Sequence, residues 1–450
     1  MTSIFETDAD FQEKLDWVSR FVRDEIEPVD QLVEHAWNVN DPQRNALIRP
    51  LQEKVKEQGL WACHLGPELG GPGFGQLKLA LLNERIGHTH SGPVVFGCHA
   101  PDSGNGEILA HFGSPELKQR YLEPLLANEI VSAYSMTEPQ GGSDPTAFVT
   151  RAELDGDEWV LNGEKWFSSH ANFASFLIVM AVTDPDAARH ARASMFVVPV
   201  DTPGVEIVRG VSVYGHHEPV GTHPYVRYTN VRIPADHLLG ERGQGFHVAQ
   251  TRLGGGRIHH AMRTVGLVRE SLDMMLERAV SRVSGGEALG RRQLVQQMIA
   301  DSHIQLQQFR LLVLQTAWRI DQEQDYRKVI VDIASVKAAM PDVLRDVAGR
   351  AIQVHGSLGI SEEMPFGRWV LESYHMGLAD GATELHKLQI AQRLMRDVQP
   401  AAGLFPSRHL PALRASAQEQ YADLLTDEAQ EAQEAQEPKE PKEPKEVVAP

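Results

Sequence analysis

The chain has little cysteine, an excess of negative charge and no long apolar run. Its 450 residues include only Cys63 and Cys98, without a CxxC pair, which argues against a disulfide framework and favours a reducing compartment. The formal net charge of −18 argues against non-specific binding to nucleic acid or to an anionic membrane surface. The longest apolar stretch, Phe173 to Val182, is too short to insert across a bilayer. Since the N-terminus also lacks a basic segment leading into an apolar run, we expect a cytoplasmic protein.

Hydrophobic residues make up 42% of the chain, which is too long for one core, so we expect several packed units. Residues 1–133 show helical spacing, as in Phe11, Leu15 and Val18 and again from Leu77 to Ile86. This pattern predicts an N-terminal α-helical domain.

The periodicity changes between residues 134 and 241 to short runs rich in β-branched and aromatic residues. The predicted strands are Trp159–Leu161, Phe176–Val182, Ser194–Val200, Val205–Val208 and Tyr225–Val231. Asn162-Gly163 is a typical hairpin turn and predicts one directly after the first of these strands. We therefore expect a middle β domain.

Long helical patterns return between residues 242 and 403, and Pro341 should kink or break the last of them. The predicted helices are Arg257–Val280, Arg292–Arg319 and Arg327–Gln353. The sequence thus predicts an α+β fold in which a β part is followed by a second helical part. Residues 404–450 become Glu-Ala-Gln and Glu-Pro-Lys repeats, which predict a disordered acidic tail.

Two segments of the middle domain suit a planar polar ring. Tyr134 to Asp144 joins a strand edge to a glycine turn rich in backbone N–H groups and hydroxyls. Lys165 to Ser169 offers an aromatic face followed by hydroxyl donors. Each segment alone is more typical of an ordinary turn.

In this order and spacing, the two segments resemble the flavin-binding β domain of the acyl-CoA dehydrogenase family. The resemblance covers about 400 residues and implies an α+β fold with an N-terminal helical domain, a middle β-barrel-like domain and a C-terminal four-helix bundle, together with bound FAD. The residues that it assigns to the flavin in this domain are Tyr134, Met136, Thr137, Gly142, Ser143, Trp166, Phe167 and Ser168. It also places Ser143 at the substrate.

Three further segments match the family's pattern in the C-terminal part. Leu253 to Arg257 resembles the start of a helix that lines the substrate channel, which implies that Gly254 and Arg257 contact the substrate. Arg282 and Gln293 match residues that reach the FAD pyrophosphate of a neighbouring subunit, so the resemblance implies a homo-oligomer, dimer or tetramer. The adenosine end of FAD is assigned by resemblance to Gln353, Gly356 and Ser357.

Asp380 stands where the family usually has its catalytic Glu. By resemblance, Asp380 is the base that removes the α-proton of the thioester, Gly381 contacts the acyl group, and Ala382, Thr383 and Glu384 contact the flavin. A base of this kind should lie in a water-poor site that raises its pKa toward neutrality. The sequence departs from the family pattern here and elsewhere: Asp380 replaces Glu, Ala382 replaces Thr, Gly285 replaces Phe and Ser168 replaces Thr. An Asp base is found in a subset of the family that includes members ten and eleven of vertebrates.

Alternatives remain at the level of the sequence. Asp380 alone would more often be the N-cap of a following helix, and Glu384 is a rival base. The leading function is dehydrogenation of an acyl-CoA with electrons passed to an electron-transferring flavoprotein. The alternatives are a flavin oxidase, acting for example on a nitroalkane, and a non-enzymatic DNA-associated flavoprotein, which the acidic charge disfavours. We expect no metal site, because His216-His217 and His259-His260 are adjacent pairs without ligand spacing and are interpreted as structural.

Overall fold

The computed structural model describes residue 5, residues 7–213 and residues 222–425, so His216 and His217 lie outside the described residues. The N-terminal part is helical, as predicted. Its first helix begins where the Asp8 carboxylate accepts a hydrogen bond from the Phe11 N–H at 2.9 Å, and it buries Phe11, Leu15 and Val18. The α-helices are α1 (Ala9–Phe21), α2 (Glu27–Asp30), α3 (Pro42–Glu57), α4 (Gly75–Ile86), α5 (Gly92–Val95), α6 (Asp102–Phe112), α7 (Pro115–Leu117) and α8 (Glu123–Leu126).

The middle part is a sheet whose order in the described residues is β6-β7-β3-β2-β4-β5-β8, with β1 added in parallel to β4. Alternate residues of β4 enter two cores: Ile178 packs toward α6 to α8, and Leu177 packs on the other face. Burial on both faces explains why β4 is apolar throughout. The strands are β1 (Ser132–Ser135), β2 (Arg151–Asp155), β3 (Glu158–Lys165), β4 (Phe176–Val182), β5 (Ala193–Pro199), β6 (Val205–Arg209), β7 (Tyr225–Pro234) and β8 (Leu238–Leu239).

The predicted hairpin at Asn162-Gly163 is wrong. Both residues lie inside β3, and the turn that joins β2 to β3 is at Gly156-Asp157. Gly163, with φ of 148°, sits where the β3–β7 register shifts, and a Cβ there would lie 2.5 Å from Thr150 Oγ1. The glycine therefore permits a β-bulge and a close backbone approach rather than a reversal of the chain.

Long helices form the C-terminal part, and the first two of them are longer than predicted. α9 (Gly245–Ser281) begins eight residues before the Leu253–Arg257 segment, so that segment is not the start of the helix as expected but part of its interior. Val283–Ser284 (β9) and Glu287–Ala288 (β10) form a small hairpin before α10 (Gln293–Glu323). The predicted break at Pro341 does not occur, because α11 (Ile330–His355) continues through it. α12 (Phe366–Leu378) and α13 (Thr383–Met395) follow; α9 packs against α10, α11 and α12, and α11 also packs against α10 and α12.

A buried carboxylate joins the N-terminal helices to the C-terminal ones. The Glu84 side chain of α4 is 2% exposed and pairs with Arg269 of α9 and, at 2.8 Å, with Arg310 of α10. A buried charge needs such partners, so this cluster fixes α4 against both long helices.

Residues 393–450 form a separate unit. Within the predicted tail, α14 (Leu410–Gln420) is helical rather than disordered, although none of its residues is buried. Residues 426–450 lie outside the described residues. Among the described helices, none is long and apolar enough to cross a membrane.

Candidate active site

Asp380 lies in the tight turn between α12 and α13. Its φ is 55° and that of Gly381 is 107°, so two successive residues have left-handed backbone conformations. Asp tolerates this region better than most residues, and glycine adopts it freely. The turn directs the Asp380 side chain, 15% exposed, toward the middle of α9.

A stripe along α9 faces the Asp380 carboxylate. Arg252, Gly256 and His260 are spaced four residues apart and so lie on one side of the helix. Arg252 Nη1 is 3.8 Å from Asp380 Oδ1, and His260 Nε2 is 3.6 Å from Asp380 Oδ2. A Cβ on Gly256 would lie 3.1 Å from the same Oδ2, so glycine allows the helix to approach the carboxylate closely. These four residues line one cavity of about 40 Å³.

The groups of the chain itself lower the pKa of Asp380 rather than raise it. Burial does act to raise this pKa, but His260, Arg252, Arg257 and Lys337 together lower it below its ordinary value of 3.8. Burial also lowers the pKa of His260 to about 4. At neutral pH the pair is therefore a carboxylate beside a neutral imidazole.

The N-cap alternative for Asp380 is also wrong. α13 begins at Thr383, after Ala382, and its first backbone contacts run to the Ala382 carbonyl rather than to the Asp380 carboxylate. Arg257, predicted near the thioester, donates from Nε to the Asp380 carbonyl at 2.9 Å and so holds the turn in place. Glu384, the rival base, is exposed on α13.

The remaining walls of the cavity are polar, which the sequence analysis did not anticipate. His64, Glu107 and His259 line it together with the α9 stripe. Burial raises the pKa of Glu107 to about 7, although Arg252 opposes this, and burial lowers the pKa of His64 to about 3. His259 and His260, interpreted as structural from the sequence, both line the cavity. The spacing of Arg252, Gly256 and His260 is the signal that would have identified this face.

Tyr134 connects the cavity to the β domain. The Arg252 guanidinium lies 3.9 Å from the centre of the Tyr134 ring and also donates from Nε to Asn105 Oδ1 at 3.0 Å. Burial raises the pKa of Tyr134 to about 12. Its buried hydroxyl has no hydrogen-bond partner in the described part of the chain, and so is available to a bound group.

A buried ion pair fixes the loop that follows Tyr134. Lys165 Nζ lies 2.9 Å from Glu138 Oε1, both side chains are fully buried, and Lys165 also donates to the Met136 carbonyl at 2.7 Å. Glu138 accepts hydrogen bonds from the Val149 and Thr150 N–H groups, at 2.7 and 3.0 Å. Both residues lie in the two segments predicted to suit a planar ring, but the sequence did not indicate that Glu138 and Lys165 form an ion pair.

The residues assigned to a flavin ring by resemblance surround this loop with different exposures. Trp166 and Phe167 are half-buried, and the backbone N–H of Trp166 donates to the Thr137 carbonyl at 2.8 Å. Ser168 is fully buried, and its hydroxyl is 2.7 Å from that of Ser135, which in turn is 2.8 Å from the Tyr228 hydroxyl. Gly142 and Ser143 are exposed, Thr137 is half-buried and Met136 is buried.

The residues assigned by resemblance to the pyrophosphate and adenosine of FAD lie on the surface. The exposed members of this set are Arg282, Gln293, Gln353, Gly356 and Ser357. Arg282 ends α9, and Gly356 ends α11. Gly254 is buried within α9, where a Cβ would lie 3.1 Å from the Tyr326 ring. Thr383 donates from its hydroxyl to the Gly377 carbonyl at 3.2 Å, and Ala382 is half-buried beside it.

Comparisons with known proteins agree on one family. Its three domain models match residues 8–129 (acyl-CoA dehydrogenase, N-terminal domain), 133–225 (middle domain) and 243–395 (C-terminal domain). The chain is 43% identical to the probable acyl-CoA dehydrogenase FadE2 of Mycobacterium tuberculosis, over 77% of this chain and 85% of that protein. It is 39% identical to acyl-CoA dehydrogenase family member 11 of Rattus norvegicus over 86% of this chain, and spans about half the length of that relative, 50%. A solved structure from Mycobacterium abscessus, assigned to the acyl-CoA dehydrogenases, superposes with a TM-score of 0.81 at 36% identity, covering 87% of this chain and 99% of that one.

Proposed function

The chain belongs to the acyl-CoA dehydrogenase family of FAD-dependent oxidoreductases, and from this premise we propose that it desaturates the α,β bond of an acyl-CoA with Asp380 as the base. The observation that carries the proposal is the Asp380 carboxylate at the wall of a cavity, 15% exposed and with a pKa below its ordinary value. Of the two bases considered from the sequence, Asp380 is largely withdrawn from water and Glu384 is exposed.

The proposed reaction begins with proton transfer to Asp380. One carboxylate oxygen takes a proton from the α-carbon, and the electron pair left behind moves into the thioester carbonyl, forming an enolate. We infer that the N–H groups of the 381–382 backbone and the positive charge of Arg257 stabilise that oxygen. Bound FAD supplies the acceptor for the hydride that leaves the β-carbon, giving the trans-2-enoyl-CoA.

The chemistry of the β domain fits a flavin ring. The unpartnered Tyr134 hydroxyl offers a polar contact, Trp166 and Phe167 offer aromatic faces, and the exposed Gly142 and Ser143 leave backbone groups accessible. We propose that the ring is held by Tyr134, Met136, Thr137, Gly142, Ser143, Trp166, Phe167 and Ser168, with Ala382, Thr383 and Glu384. Since the Ser168 hydroxyl is already bonded to Ser135, its contribution would come from the backbone or after rotation.

We propose that the pyrophosphate and adenosine of FAD are bound by Arg282, Gln293, Gln353, Gly356 and Ser357. All five are exposed in the single chain, which suits contact with a cofactor shared between subunits of a homo-oligomer. Gly254, Arg257, Gly381 and Ser143 are proposed to contact the acyl-CoA, and an electron-transferring flavoprotein is the proposed acceptor. The cytoplasmic location expected from the sequence stays a prediction.

Anaerobic titration of the purified holoenzyme tests the proposal. Saturated acyl-CoAs of short, medium, long and branched chains are added while the flavin absorbance is followed. We expect one class to bleach the flavin, and Asp380→Asn to keep FAD but to lose about three or more orders of magnitude in the rate of reduction. A fully active Asp380→Asn enzyme would refute the role of Asp380.

The same preparation separates the competing functions. Air added after reduction distinguishes slow from rapid reoxidation, and rapid reoxidation would identify the oxidase alternative. Bound flavin that no thioester reduces, but that a nitroalkane does, would identify the nitroalkane oxidase alternative.

A further inference from the structure

The neighbours of Asp380 divide into groups that hold its backbone and groups that face its carboxylate. Arg257 bonds to the carbonyl of the turn, and Lys337 donates to the Met376 carbonyl. Arg252 and His260 instead approach the two carboxylate oxygens from α9, where they lie one turn before and one turn after Gly256. The carboxylate therefore faces this side of α9.

Arg252 is anchored independently of Asp380, by Asn105 and by the Tyr134 ring. His260 has a different relation to the carboxylate, because its Nε2 faces Oδ2 and its ring is a wall of the same cavity. The separation of 3.6 Å is longer than a hydrogen bond, which is common for catalytic contacts before substrate binds. A small rotation of either side chain would form the bond.

We propose that His260 is the positioning residue of the catalytic base, donating from Nε2 to Asp380 Oδ2 so that the other carboxylate oxygen is directed at the α-proton. This inference rests on the proposed role of Asp380 as the base. His260 would touch the base and not the reacting carbon.

The charge state of His260 suits this role. Burial lowers its pKa to about 4, so the imidazole is neutral at the pH at which the enzyme would work. A neutral donor orients a carboxylate, whereas an imidazolium would form an ion pair that weakens the base more strongly. The other groups that interact with this pair come from α9, α11, α12, α13 and β1: Arg252, Arg257, Arg263, Lys337, Glu372, His375, His386 and Tyr134.

Proton abstraction can be measured without hydride transfer. In a 3-thiaacyl-CoA the β-carbon is replaced by sulfur, so the base can remove the α-proton but no hydride can leave. In D₂O the Asp380 carboxyl exchanges the proton that it has taken for a deuteron from the solvent and returns this deuteron, and NMR follows exchange at the α-carbon. The probes are 3-thiabutyryl-CoA and 3-thiaoctanoyl-CoA, with the oxidised holoenzyme, and binding is read from the perturbation of the flavin absorbance.

Two variants of His260 and one control define the experiment. His260→Ala should slow exchange by about ten- to a hundred-fold, because misplacement of a catalytic group by about 1 Å has an effect of that size. It should also move the acid limb of the exchange rate to higher pH, since the carboxylate loses a donor. His260→Gln, which keeps an N–H donor at a similar reach, should retain exchange within several-fold. His247→Ala, at an exposed position of the same helix, should match the wild type.

The outcomes separate this inference from the function on which it rests. An unchanged rate and pH profile in His260→Ala, or weaker probe binding with the pH profile unmoved, would overturn the positioning role. If His260→Gln slowed exchange as much as His260→Ala, the positioning role would also be overturned, because an N–H donor at this position would then have no effect on the rate. Failure of the wild type to exchange either probe, or full exchange by Asp380→Asn, would refute Asp380 as the base and this inference with it.

Discussion

Gly256→Ala should stabilise the protein and slow flavin reduction at the same time. An alanine in a helix interior is favoured over glycine by about 0.5–1 kcal/mol, and Gly256 lies within the 37-residue α9. The new Cβ, however, would lie 3.1 Å from Asp380 Oδ2, closer than an ordinary contact. The carboxylate must then move by a few tenths of an ångström, because the helix backbone cannot.

The expected loss follows from that displacement. A misplacement of about 1 Å is associated with a hundred-fold loss, so a shift of a few tenths should reduce the rate by about three- to ten-fold. The assay is the rate of anaerobic flavin reduction by the most reactive acyl-CoA, measured beside the thermal midpoint of the holoenzyme.

Gly349→Ala is the matched control. Gly349 lies inside α11, and no atom lies within 4 Å of the position that its Cβ would take. The Gly349→Ala variant should therefore gain stability and reduce its flavin at the wild-type rate. If Gly256→Ala reduced its flavin as fast as Gly349→Ala, the contact between α9 and the base would not limit catalysis, and the reasoning would be refuted.

Two further predictions concern buried ionisable groups. Glu138→Gln should lower the free energy of unfolding by about 3–5 kcal/mol, read as a lower thermal midpoint, because Lys165 stays buried without its counter-charge; adding Lys165→Met should recover part of the loss. Glu107, whose pKa burial raises to about 7, should cause kcat/KM to fall as the pH rises through 7, because its carboxylate would then compete with Asp380 for Arg252. Glu107→Gln should abolish this pH dependence, and its persistence would exclude Glu107 as the source. The same raised pKa means that the contribution of Glu107 to stability is present below its ordinary pKa of 4.5 and is lost as the pH rises through 7.

The elements that the sequence predicted best are those whose burial follows a simple period. α1 was predictable because Phe11, Leu15 and Val18 mark one helix face, and β4 because both of its faces are buried. β2 was missed because only Ala152 of its five residues is buried. The error at Asn162-Gly163 arose because a turn signal is local, whereas the bulge depends on Thr150 and on pairing with β7.

Local sequence signals predicted the surroundings of Asp380 even less well than they predicted the helices and strands. Asp380 was identified by its position in a family pattern, but its surroundings come from side chains of α9 and α11, from Arg252, 128 residues earlier in the chain, to Lys337, 43 residues earlier. Neither a propensity nor a motif reports that Arg252, His260 and Lys337 converge on one carboxylate. The expectation of a raised pKa considered only the removal of water, whereas among the chain's own groups the nearby positive charges outweigh burial.

A lowered pKa appears at first to weaken Asp380 as a base, but the same charges also act on the acid. In the proposed reaction the negative charge moves from the carboxylate to the thioester oxygen, and the total charge of the site does not change. Arg252, Arg257 and Lys337 therefore lower the pKa of the α-carbon together with that of Asp380, and the barrier depends on the difference between the two. Bound substrate also removes water from the cavity, which raises the pKa of Asp380 toward that of its target. The cations need only favour the thioester oxygen more than the carboxylate, and Arg257, which contacts the Asp380 backbone rather than its side chain, is placed to do so.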